Sequence, residues 1–234
     1  MQRYFAKEKI EKEFILEDGD IHHITHVMRM NTGNHIEVVY ENTLYECEIN
    51  FNNGLNIKQI KTIENLNKNT GLVLIIPVLK EQKMDLVLQK ATELGVYKII
   101  PIITERCVVK TDGKEEKKLE RWKKIVKEAS EQSKRLSVPI IDKIRVIDEL
   151  DFNDGVKLVC STQEKVKKIK KVMQSFKKCA KMYIVVGPEG GLTTKEENKL
   201  NDKGFISVSL GERILRVETV PLFILSIIIY ELME

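Results

Sequence analysis

From Gly71 onward the chain repeats one pattern, a short unbroken apolar run followed by a stretch with apolar residues at helical spacing. The runs are Leu72 to Leu79, Ile99 to Ile103, Val156 to Cys160, Tyr183 to Val186 and Ile206 to Leu210. Apolar residues without alternation suit strands covered on both faces, the condition of a parallel sheet between helical layers. Helical patterns fill the intervals at Met84 to Leu94, Leu119 to Arg135, Val166 to Phe176 and Lys195 to Lys203. The alternation predicts an α/β domain with a mainly parallel sheet over residues 71–234.

Residues 1–70 have a different texture. His35 to Val39 and Tyr45 to Ile49 alternate in polarity and are separated by Asn and Gly clusters, which predicts a small β domain. The boundary falls near Glu64 to Thr70, where Asn and Lys replace the periodic apolar residues. Charge divides the same way: residues 1–70 hold 8 Lys and Arg against 11 Asp and Glu, and the remainder 31 against 24. The excess of the second part suits an anionic partner such as RNA.

Several function classes are disfavoured. Cys47, Cys107, Cys160 and Cys179 never approach C-x-x-C spacing, so neither a zinc site nor a redox pair is indicated, and reduced thiols in a cytoplasm are expected. The opening residues are charged where a signal peptide needs an apolar stretch. Val220 to Tyr230 is far shorter than the roughly 20 residues of a membrane-spanning helix and is expected to be buried, so no membrane role follows. His22, His23, His26 and His35 lie together without a cysteine or paired acid, and a helical turn is preferred to a metal site.

Two strand-to-helix junctions carry the chemistry. In the first, Ile184-Val185-Val186 runs into Gly187-Pro188-Glu189-Gly190-Gly191; glycines here permit positive φ and close approach of a ligand to backbone. The segment is neither a P-loop nor a dinucleotide fingerprint. Thr193 and Thr194 follow, each three residues before a glutamate, the capping-box spacing that starts a helix. In the second, Ile206 to Leu210 leads through Gly211-Glu212-Arg213-Ile214-Leu215-Arg216-Val217-Glu218-Thr219 into the last apolar helix. Two such loops can meet over the carboxyl edge of one parallel sheet, where α/β proteins place ligands. Between them, Glu164 to Lys181 holds eight lysines against one glutamate. It is expected to be a solvated helix with one buried face, an RNA-binding face being the alternative.

The pair GPEGG and LGERILRVET, at this spacing, resembles the cofactor motifs of the knotted SPOUT methyltransferases. Along almost its whole length the chain is similar to the 16S rRNA uridine N3-methyltransferases (RsmE type). The likeness extends to Arg3-Tyr4-Phe5, His23 to Arg29, Gln89 to Gly95, Thr104-Glu105-Arg106, Glu120-Arg121-Trp122 and Glu128 to Ser133. Lys134 stands where that family usually has glycine, and Cys107 where serine is common.

The resemblance implies a trefoil-knotted domain over 71–234 behind a PUA-like RNA-binding barrel over 1–70. It further implies a homodimer and the transfer of a methyl group from S-adenosylmethionine to N3 of a decoding-site uridine in 16S rRNA of the small ribosomal subunit. Ser161, Thr162, Gly187, Pro188, Glu189, Gly190, Gly191, Leu210, Gly211, Ile214 and Leu215 are the expected cofactor contacts. Arg3, Arg29, Arg106, Arg121 and Arg135 are the candidate RNA contacts, Arg106 for a phosphate. Arg216 is the candidate to stabilise developing negative charge, with Glu218 either orienting it or accepting a proton. A SPOUT enzyme acting on a ribose 2′-hydroxyl or on tRNA, and a catalytically silent ribosome-assembly factor, are the competing readings.

Overall fold

The computed structural model describes residues 1–52, 54–63, 71–109, 113–175 and 181–232. The chain divides into two compact units, one formed by residues 1–68 with 127–138, the other by residues 69–126 with 139–234.

The first unit is a six-stranded sheet built from β1 (Arg3–Phe5), β2 (Glu8–Ile10), β3 (Glu13–Ile15), β4 (His35–Tyr40), β5 (Thr43–Asn50) and β6 (Asn56–Ile63). The spatial order is β1-β4-β5-β6-β3-β2, antiparallel except for β1 beside β4. A bulge between Glu46 and Cys47 breaks the register of β5 against β6. Alternate residues turn inward and bury Tyr4, Phe14, Ile36, Val38, Cys47, Ile49 and Ile57. The histidine-rich stretch forms a short helix, α1 (Asp18–His22), that continues as a π-helical turn, His23–Val27. There the His22 and His26 rings stack at 4.5 Å and the Tyr4 hydroxyl hydrogen-bonds His23 Nδ1 at 2.9 Å.

The second unit carries β7 (Leu72–Pro77), α2 (Glu81–Glu93), β8 (Lys98–Ile103), the first part, as far as Val126, of α3 (Glu115–Gln132), β9 (Ile140–Ile141), β10 (Arg145–Val146) and β11 (Val156–Cys160). These are followed by α4 (Ile169–Ser175), β12 (Met182–Val186), α5 (Thr194–Asp202), β13 (Ile206–Val208) and α6 (Thr219–Leu232). All strand pairs are parallel, in the order β10-β8-β7-β12-β11-β13, with β9 paired to β8. Every residue of β7 and β12 is buried, the condition that the unbroken apolar runs demanded. α2 packs against α6 and buries Met84, Val87, Leu88, Ala91 and Thr92, spaced for one helical face. Leu88→Ala would cost about 2–5 kcal/mol, since its site is fully buried.

Two elements differ from expectation. The helix predicted from Val166 starts only at Ile169, and the strand predicted to Leu210 ends at Val208. Both follow from one contact: Lys168 pairs with Ser209 as an isolated parallel bridge, so the first is held extended and the second is drawn off the sheet edge. The inter-domain boundary near Glu64 to Thr70, Cys179, and the end of the Val166 to Phe176 pattern lie outside the described residues. Cys47, Cys107 and Cys160 are free thiols. Among the described residues no helix is long and apolar enough to cross a membrane.

Candidate active site

Three adjacent parallel strands end level with one another. Cys160, the last residue of β11, is in register with Val186 of β12 on one side and Val208 of β13 on the other. The loops that follow, at Ser161, Gly187 and Ser209, therefore leave the carboxyl edge of the sheet side by side, where a parallel sheet exposes its ligand-binding crevice.

The space between them is a cavity of about 530 Å³, bordered by a smaller one of about 50 Å³. Thr162, Gly187, Pro188, Glu189, Gly190, Gly191, Ile214 and Leu215 line the larger. Ser161, Leu210 and Gly211 line the smaller, which shares Cys160, Thr162, Ile214, Leu215 and Val220 with its neighbour. All eleven residues expected to contact a cofactor thus gather around adjoining spaces. The larger cavity has the volume of a small-molecule site.

Local chemistry explains the loop shape. A Cβ on Gly187 would come within 3.1 Å of the Leu192 backbone nitrogen, and Gly191 has φ +68°, so neither position accepts an ordinary side chain without strain. Thr193 caps α5 in a full capping box with Glu196. Glu196 also accepts a hydrogen bond from the Glu105 N–H at 2.8 Å, tying the start of α5 to the loop after β8. From that loop Arg106 Nη1 donates to the Gly190 carbonyl at 2.8 Å. Glu197 does not repeat the capping box for Thr194; it is buried and accepts the Ser161 hydroxyl at 2.8 and 3.0 Å. Burial, aided by the Glu164 charge, pushes the Glu197 carboxyl upward against that hydrogen bond.

The candidate catalytic residues stand at the rim. Arg216 lines the larger cavity and is exposed, whereas Glu218 lies outside the lining. Lys83 of α2 joins them: its ammonium is 3.0 Å from Glu189 Oε1 and 3.3 Å from Glu218 Oε2. The second contact is an ion pair without the alignment of a hydrogen bond. The hydrogen bond to Glu189, opposed by desolvation and helped by Glu218, holds the Lys83 ammonium above its ordinary value. A bond from its own backbone N–H, then Lys83 and Arg216, holds Glu218 below the ordinary carboxylate range despite some desolvation. Lys83 was not legible as a site residue, because nothing in sequence separates it from other surface lysines of an amphipathic helix. Cys160, Glu197 and Val217 also line the cavity and were missed.

Besides Arg106, two more of the candidate RNA-contacting arginines face carbonyl groups of the protein. Buried Arg3 pairs with Glu37 at 2.9 Å and donates to the Lys134 and Arg135 carbonyls. Arg135 Nε donates to the Ser137 carbonyl at 3.1 Å. Arg121 pairs with Asp85, and Arg29 is exposed with φ 48°. Among the described residues no group of three His, Cys, Asp or Glu is placed to hold a metal ion.

Comparison with known proteins agrees with this geometry. Residues 66–229 match the model of an RNA methyltransferase domain, and residues 16–53 that of an RNA methyltransferase PUA domain. The ribosomal RNA small subunit methyltransferase E of Bacillus subtilis (strain 168) is 36% identical, with 99% of this chain and 97% of that protein covered. The protein of the same name from Aquifex aeolicus is 32% identical, with 97% and 99% covered. Among solved structures, a putative methyltransferase of Legionella pneumophila bound to its cofactor SAM superposes with TM-score 0.87 at 26% identity, covering 97% of this chain and 96% of that one. A ribosomal RNA small subunit methyltransferase E of Neisseria gonorrhoeae bound to S-adenosyl methionine gives 0.84 at 28% identity, with the same coverages. With an all-parallel sheet whose strand ends open on a glycine-lined cavity, and a PUA-type unit before it, the chain belongs to the RNA methyltransferase family that includes the ribosomal RNA small subunit methyltransferases E.

Proposed function

We propose that the protein transfers a methyl group from S-adenosylmethionine to N3 of a uridine in 16S rRNA, acting in the cytoplasm as a homodimer. Residues 1–70 serve as the RNA-binding domain and 71–234 as the methyltransferase domain, whose last segment passes through a loop as a trefoil knot. One observation carries the reading: three level strand ends enclose a cavity of cofactor size with a guanidinium, Arg216, on its rim.

The residues present fit the cofactor. Gly187 and Gly191 keep side chains out of the cradle, and backbone groups of Leu210 to Leu215 are available to an adenine edge. When bound, the cofactor supplies an electrophilic methyl on a sulfonium. The uracil N3–H must lose its proton, the nitrogen lone pair forms the new N–C bond, and the C–S bond breaks to leave a neutral thioether. Negative charge reaches O2 and O4 as the proton leaves. Arg216, permanently charged and forked, stabilises that charge more in the transition state than in the ground state. Glu218, kept ionised by its surroundings, orients Arg216 or receives the proton. Arg29 and Arg121 contact RNA in this proposal, while Arg3, Arg106 and Arg135 shape the surfaces beside it.

Pairing is supported by α6. Its Ile224, Leu225 and Ile228 are fully buried, yet Phe223 and Tyr230, one face apart by seven residues, are exposed. Nucleoside mass spectrometry of 16S rRNA treated with the enzyme and cofactor tests the activity. N3-methyluridine is expected, and a 2′-O-methylated nucleoside or an unmodified digest would overturn it.

A further inference from the structure

The lysine-rich segment flanks the cavity and has no part in the chemistry above. Lys165, Lys167, Lys168 and Lys170 are all exposed, and among the described residues none of the four forms an ion pair. The acid of the segment, Glu164, forms no ion pair with them and bonds the backbone. Its Oε1 accepts the backbone N–H groups of Val166 at 2.7 Å and Lys167 at 3.0 Å, which keeps it ionised but directed at the chain itself. The four ammonium groups are therefore left exposed to solvent, and the segment forms a cationic ridge.

Its position is fixed relative to the cavity. The Ser209 N–H donates to the Lys167 carbonyl at 2.9 Å, and the Ile169 N–H donates to the Ser209 carbonyl at 3.0 Å. Ser209 is the residue from which the Leu210 to Leu215 loop departs, and Lys165 lines the smaller cavity with that loop. The lysine segment is thus bonded, backbone to backbone, to a wall of the proposed cofactor site.

We propose that this ridge docks the phosphate backbone of the RNA substrate and sets its register against the cavity, an inference that rests on the RNA methyltransferase reading. The phosphates of a nucleic-acid strand complement the charge of these exposed lysines, and each one neutralised releases counterions. The sequence-level preference for a merely solvated helix does not account for an extended lysine segment tied to a site loop.

The test uses the full chain, a 16S rRNA transcript and the triple variant K167Q/K168Q/K170Q, which leaves the cavity lining intact. Its KM for RNA is expected to rise roughly tenfold or more near 0.15 M salt, and the slope of log affinity against log salt to fall by about 2–3. Cofactor affinity by calorimetry stays at the parent value, and K167R/K168R/K170R restores KM, which a packing role would not require. A Gln variant with parental KM and salt slope overturns the ridge while the activity stands. A parent that binds neither cofactor nor transcript overturns the activity itself, and the ridge with it. A parent that prefers phosphatidylserine vesicles to the transcript, with the preference lost in the Gln variant, assigns the ridge to a membrane surface and overturns the proposal.

Discussion

Arg106 donates to the carbonyl oxygen of Gly190, so the glycine-rich loop after β12 is held from the loop after β8, two strands away in the sheet. The aliphatic part of Arg106 also closes on the glycine: a Cβ at Gly190 would lie 3.3 Å from Arg106 Cβ and Cδ. Arg106→Ala removes the hydrogen bond and the outer part of that contact, leaving only Cβ. It is expected to weaken S-adenosylmethionine binding roughly fivefold, the size of one partly exposed hydrogen bond, as read by calorimetry. An unchanged Kd would show that the loop holds its shape without the arginine.

Lys83→Gln takes away the cation that Glu189 and Glu218 share. Glu218 then loses one of the causes that hold it low, and its pKa rises toward the ordinary carboxylate value. If its ionised form supports the reaction, the acid limb of the kcat/KM profile moves to higher pH while the rate at pH 8 changes less. An acid limb at the parental position would remove Glu218 from the ionisations that matter.

Arg216→Ala should lower the single-turnover rate by roughly 100-fold, the loss typical of one donor to a developing anion. Cofactor affinity should change little. Loss of cofactor binding in place of rate would reassign Arg216 to holding the cofactor.

Glu131 gives a pH signature of stability. Burial, then the charge of Asp20, pushes its carboxyl up to about 7, against Lys127, whose ammonium is 3.9 Å away. Its Oε1 is buried without a hydrogen-bond partner. The folded state holds a proton that the unfolded state releases near the ordinary value. The resulting penalty is absent below about pH 4, grows as pH rises, and is complete above about 7. Glu131→Gln should therefore raise the thermal midpoint at pH 8 and leave it nearly unchanged at pH 4. Equal shifts at both pH values would point to packing.

Phe223→Glu or Tyr230→Glu places a charge on the exposed side of α6. Light scattering should show either variant as a monomer where the parent is a dimer. A parent that is itself monomeric and fully active would end the dimer proposal.

The sheet was legible because its apolar runs are long and buried on both faces: β7, β8, β11 and β12 fall within two residues of the expected limits, and the expected cofactor contacts lie beyond the ends of β11, β12 and β13. What was hidden depends on contacts distant in sequence. Thr193 and Thr194 carry equal capping signals, and the choice of Thr193 is settled by Ser161, which draws Glu197 away. The start of α4 was misplaced because Ser209, far along the chain, pairs with Lys168. Lys134 adopts φ 60°, a left-handed conformation costing about 1–2 kcal/mol. Its ammonium, 3.0 Å from Glu37, offsets part of that cost, a partnership no local pattern announces.

The two backbone bonds through Ser209 have a thermodynamic corollary. Any substrate that steadies the lysine segment also steadies the loop beyond Ser209, and the influence must be reciprocal: the factor by which RNA tightens cofactor is the factor by which cofactor tightens RNA. A single main-chain residue, with no side chain in the reaction, would then make each ligand tighten the other equally, whichever arrives first.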